Sequence, residues 1–168
     1  MLLLLALIGG RTVESRSMAV TVALPFRYAG TQRFVLGGTA EAEQHLFVVA
    51  DREGKVQELL WIQFEEYLPT VSGTYDYSAD ATVKRQGLTF FTNARRYTAP
   101  PQPGSDRDRA FALLARKGYR ADGLRSRARL VYLSSPRSEV MVIYAVSGAV
   151  SDAGMIERAF AKVAFEKR

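Results

Sequence analysis

Along this chain, apolar and polar positions alternate over several short runs, and the gaps between runs carry glycine, proline, aspartate or serine. Val20 and Val22 in "AVTVALPF" predict a strand stopped at Pro25, and "QRFVLGGT" predicts a second one ending at Gly37 and Gly38. "EQHLFVVADREGKVQELLWIQFEEYL" predicts a hairpin, because Asp51-Arg52-Glu53-Gly54 is turn chemistry between two apolar runs. Helix competes for the second arm, since Leu60, Phe64 and Leu68 fall at helical spacing. Alternation favours strand: it gathers Leu60, Ile62 and Phe64 on one face, whereas helical phasing leaves Trp61 and Ile62 outside.

Further on, "TYDYS" reads as a short strand or extended loop, and "GLTFFTNARRY" as a strand between Gly87 and the cluster Pro100, Pro101 and Pro103. Ser105 with Asp108 forms the S-x-x-D signature of a helix start. That helix is expected to run to about Lys117, with Ala110, Phe111, Leu114 and Ala115 inward and Gly118 as its stop. "ARLVYLSSPRSEVMVIYAVS" is the clearest hairpin, turning at Ser135-Pro136-Arg137-Ser138. Asp152 is placed to cap a last helix whose Met155, Ile156, Ala159, Phe160 and Val163 share a face. Many strands, tight turns and two late helices define an α+β fold. The expected form is an antiparallel, strongly curved sheet or partial barrel of about six to eight strands, with both helices packed against one side. Strand-helix-strand alternation is missing, which argues against a doubly wound parallel sheet.

With 168 residues, 48% of them hydrophobic, the chain suits one core, and residues 18–168 are expected to form a single α+β domain. Residues 1–17 are set apart as a signal-like or non-native segment. "MLLLLALIGG" resembles the apolar middle of a secretory signal, but no basic residue precedes it. It also falls far short of the roughly 20 apolar residues of a spanning helix. Three readings stay open: export from an upstream start with cleavage near "SMA" at Ser17–Ala19, a true start at Met18, or an N-terminal element buried in the fold. The first places the protein in the periplasm or outside the cell, the second in the cytoplasm.

The formal charge is +6, and residues 106–137 carry all of that excess, with nine basic groups against three acidic ones. Such a segment attracts an anionic macromolecule or membrane surface, through Arg109, Arg116, Arg120, Arg125 and Arg127, or is simply a solvated face. Nucleic acid is disfavoured, because only Phe111 and Tyr119 interleave and no recognition motif is present. The lack of cysteine excludes disulfides, thiol catalysis and the common zinc sites. His45, the single histidine, excludes two-imidazole sites and is expected at a strand end. Gly37-Gly38-Thr39 lacks the lysine of a P-loop, and G-x-S-x-G is absent, so neither a cofactor nor a metal nor a catalytic set is implied.

Glu65 and Glu66 are adjacent, yet neighbours on a strand point to opposite sides and cannot serve one substrate as an acid/base pair. Trp61, Gln63, Glu65 and Tyr67 share a face instead, the aromatic-polar mixture of a binding surface. Phe91, Asn93, Arg95 and Tyr97 share a face elsewhere, and where the two adjoin Arg95 either meets an anionic ligand or pairs with Glu65. The expectation is a non-catalytic binding domain for a small or amphiphilic ligand at Trp61, Gln63, Glu65, Tyr67 and Arg95. The alternatives are an interaction module using the Arg-rich segment and, third, an enzyme using Glu65 with Tyr67 or Arg95.

Overall fold

The structure, a computed structural model, describes residues 10–168, so the apolar block at Met1–Ile8 lies outside it. The described residues form β1 (Arg11–Glu14), β2 (Met18–Val22), β3 (Arg27–Leu36), β4 (Ala40–Ala50), β5 (Val56–Tyr67), β6 (Ala81–Arg85), β7 (Leu88–Arg96), α1 (Asp106–Arg116), β8 (Ser126–Ser135), β9 (Ser138–Val146), α2 (Asp152–Lys162) and β10 (Val163–Lys167). Seven strands pair in the order β3-β4-β5-β9-β8-β7-β6, and three in the order β1-β2-β10. Every ladder is antiparallel and neither sheet closes on itself. The fold is therefore the antiparallel α+β class that the alternation predicts.

The two hairpins turn where the sequence places them, and β5 is a strand throughout its length. Ser105 caps α1, its side chain accepting from the Asp108 N–H, and Gly118 comes after the helix in the left-handed region at φ 85°. "TYDYS" is an extended loop with no strand of its own.

Five expectations need correction. The helices lie on opposite faces of the large sheet rather than on one side. Phe47, Leu60, Ile62, Val142 and Tyr144 pack with α2 and the small sheet, whereas Leu46, Leu59, Trp61, Met141 and Ile143 pack with Leu113 and Leu114 of α1. Central strands β5 and β9 are apolar on both sides, so each side needs a covering layer. Second, α2 stops at Lys162: Val163 continues the helical phase but starts β10, paired with Val22 of β2. An unpaired edge of β2 is satisfied by that choice. Third, Ser151 and not Asp152 caps α2, accepting from the Gly154 N–H.

Fourth, α1 buries Ala110, Leu113 and Leu114, while Phe111 is half-buried and Ala115 exposed, because the sheet meets the helix along the i, i+3, i+4 line from Ala110. Fifth, His45 lies inside β4, buried, with its Nδ1 bonded to Tyr28 Oη at 3.1 Å and its Nε2 to Glu43 at 2.8 Å. Three strands, β1, β6 and β10, carry no alternation long enough to predict them. β1 lies within residues 1–17, with Val13 buried against the core.

A close backbone approach joins the end of α1 to the β4–β5 turn. Gly54 has φ 79°, and a Cβ there would sit 2.4 Å from the Gly118 carbonyl oxygen. Only glycine allows this approach. Arg120 then donates its N–H to Gly54 O at 2.8 Å, and Val56 N–H donates to Arg120 O at 2.9 Å. These bonds hold the segment after α1 against the turn.

Candidate functional site

Register sets the side chains on the α1 face in cross-strand rows. Asn93, Arg129, Ile143, Trp61 and Leu46 form one row, from β7 through β8, β9 and β5 to β4. Arg95, Arg127, Ala145, Leu59 and Val48 form the next. Arginine fills the β8 position of both rows because "RSRAR" repeats the residue at two-residue spacing, which on β8 puts Arg127 and Arg129 on one side, and Arg95 adds a third at the β7 end of the second row.

Where the β7–α1 connection passes over these rows, it leaves a cleft of about 350 Å³. Trp61, Met141 and Ile143 give it an apolar floor, and its lining includes five arginines (Arg95, Arg96, Arg107, Arg127, Arg129) against the single carboxylate of Asp106. Arg129 is paired with Asp80 at 2.6 Å, and its Nε is a buried polar atom without a hydrogen-bond partner among the described residues. Arg127 is half-buried, and its Nη1 donates at 3.1 Å to the neutral amide oxygen of Asn93. Among the described residues no carboxylate lies within salt-bridge distance of it. Burial pushes the Arg127 pKa down, and the charges of Arg129 and Arg95 add to the effect while Tyr97 and Asp106 oppose it. Asp106 is pushed up by burial, against the pull of its own hydrogen bonds and the nearby arginines. A half-buried guanidinium bonded, among the described residues, to a neutral acceptor and out of salt-bridge reach of any carboxylate is suited to take up an anion.

Beside the cleft, further along the same sheet face, lies a second polar system that holds Trp61 in place. Gln63, fully buried, accepts at Oε1 from Trp61 Nε1 at 2.9 Å and from Gln44 Nε2 at 2.8 Å, and donates to Glu65 Oε1 at 2.5 Å. Gln44 in turn accepts from Gln32 at 2.7 Å and donates to the Asp106 carbonyl at 3.2 Å. Amide and indole groups are satisfied along the whole line, as burial requires.

Glu65 and Glu139 stand directly opposite on β5 and β9, exposed by only 7% and 3%. Tyr75 Oη donates to Glu65 at 3.1 Å and Tyr77 Oη to Glu139 at 2.7 Å. No basic group among the described residues bonds to either carboxyl. Burial raises the Glu139 pKa to about 8, and the charge of Glu65 adds to the rise. Glu65 is also raised, by burial, although its bonds from Gln63 and Tyr75 oppose this. Two buried carboxyls facing one another cannot both ionise near neutrality, so the pair keeps a proton. Burial, then the carboxylates beside them, pushes both tyrosine hydroxyls upward.

The segment 68–80 brings these tyrosines over the pair. Arg137, in the β8–β9 turn, donates to the carbonyls of Leu68, Val71 and Gly73 at 2.9, 2.7 and 2.8 Å. Tyr67 N–H donates to Arg137 O, and Tyr75 N–H to Pro136 O, both at 2.9 Å.

Of the residues singled out from sequence, Trp61 and Arg95 meet in the cleft; Gln63 and Glu65 lie beside it in the next rows of the same sheet face, and Tyr67 packs with its ring centroid 4.6 Å from that of Tyr75. Glu65 bonds Gln63 and Tyr75 rather than Arg95, and Glu66 is exposed on the other side. The basic segment is dispersed: Arg109 lies over Phe34, Arg116 is exposed at the end of α1, Arg120 faces Glu53 at 3.7 Å, Arg125 is exposed and Arg127 enters the cleft. Sequence reasoning passed over Glu139, Arg129 and Arg107 as site residues. Only Arg129 carried a local signal, the two-residue spacing from Arg127.

Fold and site together define a cysteine-free antiparallel α+β domain with an arginine-walled, aromatic-floored cleft. No protein-family model matches the chain, no curated protein matches it, and no solved structure matches it.

Proposed function

We propose that the protein binds a small amphiphilic ligand through an anionic group held in the arginine-walled cleft. The observation that carries this reading is Arg127, half-buried beside Trp61 and Arg129 and bonded, among the described residues, only to the neutral amide of Asn93. Arg95, on the register partner of Arg127, supplies a second guanidinium at the rim, and the pair can take the two oxygens of a carboxylate or a phosphate. Trp61, Met141 and Ile143 receive the apolar atoms next to the anion. Gln63 fixes the indole from the neighbouring row and is itself held by Glu65, so their part is positional.

Calorimetric titration with inorganic phosphate and with hexanoate tests this. Arg127→Gln is expected to weaken hexanoate binding roughly 10- to 100-fold, the range for losing a charge-assisted hydrogen bond. No heat of binding for either anion with the unaltered protein would overturn the reading.

The interaction-module reading draws on exposed Arg116 and Arg125, for which no carboxylate lies within salt-bridge distance among the described residues. Retention on heparin that falls steeply with salt, and that survives Arg127→Gln, would favour it.

A further inference from the structure

A second cleft, of about 570 Å³, is lined in part by the same β7–α1 connection. Its lining is mainly apolar and aromatic: Pro100, Pro101, Phe111, Tyr119, Leu124 and the exposed Ala115 on α1. It shares Tyr97, Thr98, Ala99 and Arg107 with the arginine-walled cleft, so the two open along a common wall. At that wall the Tyr97 ring carries the Arg107 guanidinium 4.5 Å from its centroid and meets Phe111 edge-on at 6.5 Å. The charges at the outer end of the second cleft are answered or wet: Arg120 faces Glu53, Asp122 is exposed, and Arg125 is exposed. Half-buried Arg127, with no carboxylate within salt-bridge distance among the described residues, therefore sits at one end of the shared wall and apolar surface at the other.

We infer that the two clefts form one bipartite site for a free anionic amphiphile, a medium-chain carboxylate or a close analogue, whose head lies at Arg127 and whose chain crosses Tyr97 into the second cleft. This rests on the anion-binding reading and adds the ligand's shape to it. The amphipathic Tyr97–Arg107 stack is suited to the junction, with an aromatic face for the first carbons and a guanidinium near the head.

The test is a chain-length series of acetate, hexanoate, octanoate and decanoate, titrated into the full chain by calorimetry and repeated with Ala115→Gln and Tyr119→Ser. Ala115 is exposed on the helix, so glutamine there narrows the second cleft without touching the core. In the unaltered protein affinity is expected to rise by roughly threefold to fourfold per methylene until the cleft is filled, the gain for burying each group. Both variants should flatten the series while leaving acetate and phosphate binding unchanged. Anion binding with no dependence on chain length would overturn the bipartite site and leave the anion reading standing. An unflattened series in both variants would place the chain elsewhere and overturn it as well. Binding only to anionic vesicles, with no free carboxylate bound, would overturn the free-ligand assignment. Failure of every anion, acetate and phosphate included, would remove the anion reading and this inference with it.

Discussion

Among single residues, Glu139 sets the most specific expectation. The groups that face it are Glu65 from β5, Tyr77 from segment 68–80, Arg129 from β8 and Asp106 from α1. Burial first, then the Glu65 charge, raises its pKa to about 8 against an ordinary value of 4.5. The folded chain therefore holds a proton that the unfolded chain releases, and the associated stability is present below about pH 4.5 and lost as pH rises to about 8. Glu139→Gln keeps an acceptor for Tyr77 and removes the charge. It should flatten the fall in stability between pH 5 and 8 and leave the variant more stable at pH 8 by roughly 1–3 kcal/mol. Denaturant melts of both proteins across that range check this, and parallel pH profiles would contradict it. Asp80 works in the opposite sense: burial disfavours its charge, but the bonds from Arg129 and Asn93 prevail and lower its pKa, so its contribution is lost only in acid.

Among the elements, segment 68–80 depends on Arg137 more than on any regular structure. One guanidinium serves three carbonyls, a geometry that the ammonium of lysine does not reproduce. Arg137→Ala should cost roughly 1–3 kcal/mol and expose the segment to limited proteolysis, with Arg137→Lys recovering little of either. Cleavage patterns identical to the unaltered protein would contradict the clamp. Gly54 makes the matching case at the β4–β5 turn, where even an alanine Cβ meets the Gly118 carbonyl. Most elements could be read from the chain because their evidence is local. Turn residues bracket β4, β5, β8 and β9, and Ser105 marks the start of α1. The missed strands lack such evidence: "ATVKR" in β6 offers one large apolar residue, and Val163 continues the phase of α2 into β10. Their strand character comes from partners distant in sequence, which no local pattern records.

At the scale of the whole molecule, the same distinction explains what was legible of the site. Alternation grouped Trp61 with Gln63, Glu65 and Tyr67, and Arg95 with Tyr97, without any knowledge of which strands adjoin. Pairing of β5 with β9, and of β9 with β8, separates these groups into a cleft and a support beside it. The same pairing brings Glu139 opposite Glu65, a contact between residues 74 positions apart in numbering. The Arg-rich segment read as one patch because charge was counted along the chain; folding sends Arg127 and Arg129 inward and leaves Arg116 and Arg125 outside.

Trp61 is the only tryptophan, 2% exposed, in the floor of the cleft, and its indole N–H is bonded to Gln63 beside it. A ¹H–¹⁵N spectrum of the protein should therefore contain one indole signal, and its position during a titration with hexanoate is the sharpest probe of the anion-binding cleft. That signal is predicted to move and saturate with hexanoate, and to need roughly 10- to 100-fold more ligand in Arg127→Gln. An indole signal that stays fixed while hexanoate is raised into large excess would contradict an anion site above Trp61.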